Sequence, residues 1–309
     1  MSESHAFTRS EVRIPRGQES LGAWHYAPAT SPLRSSNLSP VVVMGHGYSL
    51  TRDCGLQTYA ERFAAAGMHV LVFDYLNFGT SGGTDREVVS AKSQVGDYLA
   101  AIAAGRALAG VDPDRVAVWG TSYSGGLAIA AAALDGRVRA VVSQVPNLDN
   151  WATLRFLFAN NSLRRFLWLL LYVFRDSLRG IMRREPLYVR SVGQPGDRAA
   201  YESVESWGQV EQIAGPTWTN RVALRDFAVV PMFRAIKYLD DLPCRVQFFA
   251  CELDDLTPVS PTLNAARELG DQAELHRYPT GHFGIYVEPA LSHALESQTG
   301  FLCRELAPG

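Results

Sequence analysis

Val116-Ala117-Val118-Trp119-Gly120-Thr121-Ser122-Tyr123-Ser124-Gly125-Gly126 is the stretch whose reading decides the fold. The apolar run from 116 to 119 has the length and composition of a buried strand. The run from 125 to 134 is short, alanine-rich and helical in pattern. A strand that passes through a tight turn straight into a helix exposes the residue at the corner, here Ser122. The turn demands small neighbours, and Gly120 and Ser124 stand two residues to either side. Glycine is the usual residue at the second of these places, but a hydroxymethyl group adds little bulk. Such an exposed serine is a candidate nucleophile, and Ser124 is its rival, less exposed because it falls inside the start of the helix. An inert serine at a purely structural turn is the remaining reading.

Working outward, apolar runs at 41–44, 70–73, 138–145 and 246–250 each have strand length. Such near-continuous runs suit strands buried on both faces of a parallel sheet. Helical patterns lie between them, at 56–66, closed by Gly67, and at 88–108. A further helix is expected from Ser260 as N-cap and Pro261 as first helical residue to Gly270. Alternating strands and helices predict an α/β fold with a doubly wound, mostly parallel sheet. Residues 11–27 alternate more weakly and suit an antiparallel edge, and 29–40 read as a loop. The alternation breaks near Asn147 and resumes at Cys244, so 147–242 is expected to be a helical cap. It would divide a core formed by 1–146 and 243–309.

Composition narrows the function. Of 309 residues, 47% are hydrophobic and 19% charged, and the net charge of −2 argues against a nucleic-acid partner. Cys54, Cys244, Cys251 and Cys303 show neither CxxC nor zinc-ligand spacing, so free thiols and no metal site are expected. The N-terminal residues lack the apolar core of a leader, which makes the cytoplasm the expected location. The longest apolar run, 166–174, is too short to cross a bilayer, which takes ~20 residues.

The chain resembles the α/β-hydrolase superfamily. Val41-Val42-Val43-Met44-Gly45-His46-Gly47-Tyr48 is similar to its first central strand and His-Gly loop. Phe73-Asp74-Tyr75 with Phe78-Gly79-Thr80-Ser81-Gly82-Gly83 is similar to the next strand and its glycine turn, and Gly120 to Gly126 to its nucleophile elbow. The elbow resembles most those of dienelactone-hydrolase-like and Xaa-Pro-peptidase-like members. The resemblance implies a serine hydrolase in which the backbone N–H groups of Tyr48 and Tyr123 form an oxyanion hole. His46 is then structural, since it precedes the serine, and Asp74 holds the 78–83 turn.

A serine hydroxyl needs a base, and the base needs a carboxylate to fix its tautomer. The family order is serine, acid, histidine. Of the histidines after Ser122, His276 lies in an alternating strand pattern and His293 in the last helix. His282 lies in the loop Pro279-Thr280-Gly281-His282-Phe283-Gly284 just after a strand, where this class of fold carries catalytic groups. In Glu252-Leu253-Asp254-Asp255-Leu256-Thr257-Pro258 the resemblance, which sets the acid four residues before the proline, selects Asp254. Asp255 is the adjacent alternative and Asp149 a more distant one.

The expected chemistry is cleavage of an ester, thioester or lactone through an acyl-enzyme, without a cofactor. Acyl transfer or cyclisation, peptide cleavage, and non-catalytic ligand binding are the rivals. In the cap, Phe166, Leu167, Leu170 and Trp218 are expected to line a site for an apolar acyl substrate. The helix over 163–175, capped by Ser162, could instead be cap core, or meet a homodimer partner or a membrane surface. Arg221 and Arg225, one helical turn apart, are expected to pair with carboxylates of the cap.

Overall fold

The computed structural model describes residues 6–160, 162–227 and 229–308. The first five residues, part of the stretch read above for a leader, lie outside the described residues. The chain opens on an antiparallel hairpin of β1 (Phe7–Arg16) and β2 (Glu19–Pro28), the predicted edge. Then β3 (Ser39–Gly45), α1 (Leu56–Ala65), β4 (His69–Phe73), α2 (Ala91–Arg106), β5 (Val111–Thr121), α3 (Tyr123–Asp135) and β6 (Ala140–Gln144) alternate as expected. An insert follows, holding α4 (Asn150–Asn160), α5 (Leu163–Ile181), β7 (Tyr188–Gly193), β8 (Ala199–Glu202), α6 (Val204–Ile213) and β9 (Val222–Ala223). The core resumes with β10 (Arg245–Cys251), α7 (Ser260–Leu269), β11 (Ala273–Tyr278) and α8 (Ala290–Glu305).

The main sheet has eight strands in the order β1-β2-β4-β3-β5-β6-β10-β11, parallel from β4 to β11. Successive side chains of β3 serve opposite faces. Val41 and Val43 pack towards α2 and α3, while Val42 and Met44 pack towards α1 and α8. The strand order reverses between β3 and β5, and a crevice at the carboxyl ends of strands opens at such a switch point. The Gly45–Tyr48 loop leaves β3 there, and Ser122 leaves β5.

Close packing explains the corner after β5. A Cβ on Gly120 would lie 2.1 Å from the Ser124 carbonyl oxygen, so no larger residue fits. Serine at 124 is accommodated because its hydroxyl faces Gly45, where a Cβ would come within 2.6 Å of Ser124 Oγ. That hydroxyl shares a 2.5 Å hydrogen bond with Tyr75 Oη, so it is spoken for inside the core.

The insert departs from the expected helical cap. It contains a three-stranded sheet, β8-β7-β9, beside its helices. Short strands of four and two residues, β8 and β9, carry too little periodicity to stand out in a sequence. Ser162 caps α5 as expected, its side chain accepting from Arg165 N–H. Arg225 pairs with Asp176 of the insert, as expected, and with Asp85 of the core. Arg221 pairs instead with Glu87, also in the core, so the two arginines tie the insert to the loop before α2. At α7 the helix already includes Ser260, which makes no side-chain cap. Among the described residues no helix is long and apolar enough to cross a membrane, and the four cysteines are unpaired.

Candidate active site

Ser122 sits between β5 and α3 with φ 56° and ψ −123°, a backbone shape rare for a residue with a side chain. Three hydrogen bonds hold it there. Its N–H donates to Gln144 O at 2.8 Å, and its carbonyl accepts from Gly125 and Asn147 N–H, both at 2.9 Å. The Oγ is turned out of the sheet towards the loop after β11. There His282 Nε2 lies 2.9 Å from Ser122 Oγ, and His282 Nδ1 lies 2.6 Å from Asp254 Oδ2. The imidazole is 2% exposed and the Asp254 side chain 5%, so water competes little for either contact.

Asp254 lies in the turn after β10. Its Oδ1 accepts from the N–H groups of Leu256 and Thr257, both at 2.8 Å, and Oδ2 also accepts from Thr257 Oγ1. Burial pushes its carboxyl up. The charge and hydrogen bond of His282, with the two N–H groups, outweigh that and leave it below the usual carboxylate value. An ionised Asp254 calls for a proton on His282 Nδ1, which leaves Nε2 to accept from the serine hydroxyl.

The rival assignments fall elsewhere. Asp255 accepts from Ser203 and Ser206 at the start of α6. Asp149 makes a two-pronged pair with Arg234, at 2.9 and 2.7 Å. His276 shares Gln247 and Ser297 on the far side of β10. His46 is fully buried, with Nδ1 3.0 Å from Gly47 O and its ring edge-on to Tyr75. Asp74 accepts from Arg52 and Thr80 N–H and holds the glycine turn, as expected.

Tyr48 and Tyr123 flank Ser122 in one cavity of about 30 Å³. Among the described residues neither of their backbone N–H groups donates to a protein acceptor, although Tyr123 is buried. For Tyr123 the reason is positional, since the first N–H of a helix has no partner within it. The side walls are Val192 and Tyr201 from the insert, and Leu256, Phe283 and Tyr286 from the core loops. The Tyr48 ring meets Tyr123 and Tyr201 edge-on, at 5.8 and 5.4 Å between centres. Burial pushes the Tyr201 phenol up to about 12, so it stays neutral and serves as an aromatic wall.

This lining corrects the expectation for the cap residues. Leu167 and Leu170 are 56% and 47% exposed and do not line the cavity. Phe166 packs edge-on against Phe158, and Trp218 donates its indole N–H to Ser49 O at 2.9 Å. The reason is geometric: α5 faces the insert with Leu169, Val173 and Asp176, and turns Leu167 and Leu170 outward. Leu256 and Phe283 could have been found as neighbours of Asp254 and His282. Val192 and Tyr201 carry no local signal, since they reach the cavity only through the pairing of β7 with β8. Among the described residues no group of three or more His, Cys, Asp or Glu could hold a metal ion.

A doubly wound sheet with a serine at its strand–helix corner defines an α/β-hydrolase, and the chain is an enzyme of that class. Residues 19–218 match the X-Pro dipeptidyl-peptidase (S15) family, and the chain belongs to it. It is 32% identical to the quorum-quenching protein AidA of Acinetobacter baumannii over 296 residues, 95% of this chain and 94% of that one. It is 26% identical to the thiohydrolase aneE of Aspergillus aculeatus, covering 87% and 86% of the two chains. Among solved structures, the α/β-hydrolase GrgF from a Penicillium species superposes with a TM-score of 0.79 at 22% identity, over 97% and 99% of the two chains.

Proposed function

We propose that this enzyme hydrolyses an ester, thioester or lactone with a small or slender apolar acyl part, through an acyl-enzyme on Ser122. The observation that carries the reading is the unbroken chain Ser122 Oγ–His282 Nε2, His282 Nδ1–Asp254 Oδ2, at 2.9 and 2.6 Å. His282 takes the hydroxyl proton as Ser122 attacks the carbonyl, and Asp254 steadies the imidazolium that forms. The developing oxyanion is met by the Tyr48 and Tyr123 N–H groups, which among the described residues have no protein acceptor to give up. A preorganised donor of this kind is typically worth ~10²–10³ in rate. His282 then protonates the leaving oxygen or sulfur, and water drawn on by the same base releases the acid. Similarity to a protein named a thiohydrolase supports a hydrolytic reaction, and similarity to one named a quorum-quenching protein is in keeping with a small-molecule substrate.

The test is labelling with a fluorophosphonate, followed by turnover of p-nitrophenyl esters, thioesters and lactones. The wild type should label and turn over at least one class. Ser122→Ala should do neither, and Asp254→Asn should lose roughly 10⁴ in kcat by holding the imidazole in the wrong tautomer. Full labelling of Ser122→Ala, or an unimpaired Asp254→Asn, would remove the reading.

A further inference from the structure

Helix α5 is turned inside out relative to an ordinary surface helix. Its narrow inner face is Leu169, Val173 and the fully buried Asp176, whose carboxylate accepts from the N–H groups of Leu187 and Leu224. Its outer face carries Leu163, Leu167, Leu170, Leu171, Phe174 and Leu178, all between 46% and 67% exposed. At 3.6 residues per turn these fall within an arc of about 100° and run the length of the helix, about 28 Å. The stripe ends at Ile181, 81% exposed. Helix α4 extends it sideways: Trp151 and Phe158 are exposed, and Phe158 joins α5 through its contact with Phe166. An apolar surface of this extent marks an interaction site.

The charges beside it say what kind. Arg164, Arg175 and Arg179 occupy the next ~60° of the same helix, along one flank of the stripe. Arg183 and Arg184 follow its end, and Arg155 lies between Trp151 and Phe158 on α4. Among the described residues, Arg155, Arg164, Arg175, Arg183 and Arg184 have no carboxylate partner. The acid on α5 itself, Asp176, is buried and already paired with Arg225. An antiparallel pairing of two copies through the stripe would set one arginine flank against the other. Anionic lipid headgroups would instead neutralise those arginines while the leucines and phenylalanines enter the acyl boundary. We propose that α5, with the outer face of α4, docks this enzyme peripherally on an anionic bilayer. This inference stands on the surface alone and does not depend on the chemistry assigned to Ser122.

Co-sedimentation of the full chain with vesicles tests it. Vesicles of phosphatidylcholine mixed with phosphatidylglycerol should bind the protein at least tenfold more tightly than phosphatidylcholine alone, and added salt should weaken that binding. The double variant Leu167→Ser/Phe174→Ser should lose binding at least tenfold. Arg164→Glu/Arg175→Glu should lose the preference for the anionic mixture. Both variants alter exposed positions, so unchanged thermal melting and an unchanged circular dichroism spectrum would certify their fold. Three results would overturn the proposal: no binding to either vesicle, equal binding to both, or a dimer seen by light scattering that the leucine–phenylalanine variant dissolves. The last would make the stripe a contact between two copies.

Discussion

Ser122 adopts a backbone conformation that a side chain makes costly. A non-glycine residue held in a sparsely populated region at positive φ stores roughly 1–3 kcal/mol. It persists here because three main-chain hydrogen bonds, one donated to Gln144 O and two accepted from Gly125 and Asn147 N–H, hold the peptide on either side of the corner. Ser122→Gly should therefore raise stability by about 1 kcal/mol while abolishing turnover, whereas Ser122→Ala keeps the strain and should leave the melting temperature nearly unchanged. Chemical denaturation of the two variants beside the wild type measures this. A glycine variant less stable than the alanine one would mean the corner is relaxed. At this scale the sequence is most informative. Ser122, Asp254 and His282 each sit in a short motif where a strand gives way to a loop, and the structure brings the three within hydrogen-bond reach of one another. What no motif announces is the support around them. Thr257, which gives Asp254 both its N–H and its hydroxyl, read only as part of a polar turn.

Elements decide the shape of the acyl site, and there the sequence misleads. The densest apolar run, on α5, invites a pocket, but a helix in a peripheral insert can turn such a run outward as readily as inward. Only packing partners settle which, and they come from distant parts of the chain: Leu224 and Arg225 bind Asp176 and so fix the rotation of α5. The wall that the insert does provide comes from β7 and β8, through Val192 and Tyr201. Asp255, next to Asp254 in the same turn, accepts from Ser203 and Ser206 and so ties the start of α6 to that turn. Removing the Tyr201 ring should open the cavity under the insert. Tyr201→Ala is expected to shift the best acyl ester to a chain longer by a few carbons, each added methylene contributing up to ~0.8 kcal/mol. Leu170→Ala should leave the optimum in place. kcat/KM across a graded series of p-nitrophenyl esters checks both, and a shift with Leu170→Ala alone would return α5 to the site.

The whole molecule carries a pH dependence that lies far from Ser122, in the seam between the opening hairpin and the rest of the sheet. His25 on β2 and His69 on β4 stack with 5.2 Å between ring centres and face each other nitrogen to nitrogen at 3.0 Å. Burial lowers His69 to about 4, helped by the neighbouring His25 and Arg34 and opposed by the Gly110 carbonyl, and burial lowers His25 too. In the unfolded chain a histidine titrates near 6.5. Between pH 6.5 and about 4 the unfolded chain therefore binds protons that the folded seam refuses. The sign follows: the stability present above pH 6.5 is lost as pH falls towards 4, by about 2 kcal/mol for His69 once solvent screening is allowed for. For a chain of this length that corresponds to a few degrees of melting temperature. His69→Gln keeps a polar partner for His25 and removes the proton site, so its melting temperature should fall less steeply than the wild type's over that interval. Thermal melts of both proteins at half-unit steps from pH 7 to pH 4 measure the difference. Parallel curves would mean that carboxylates elsewhere, and not this seam, set the acid limit of the fold.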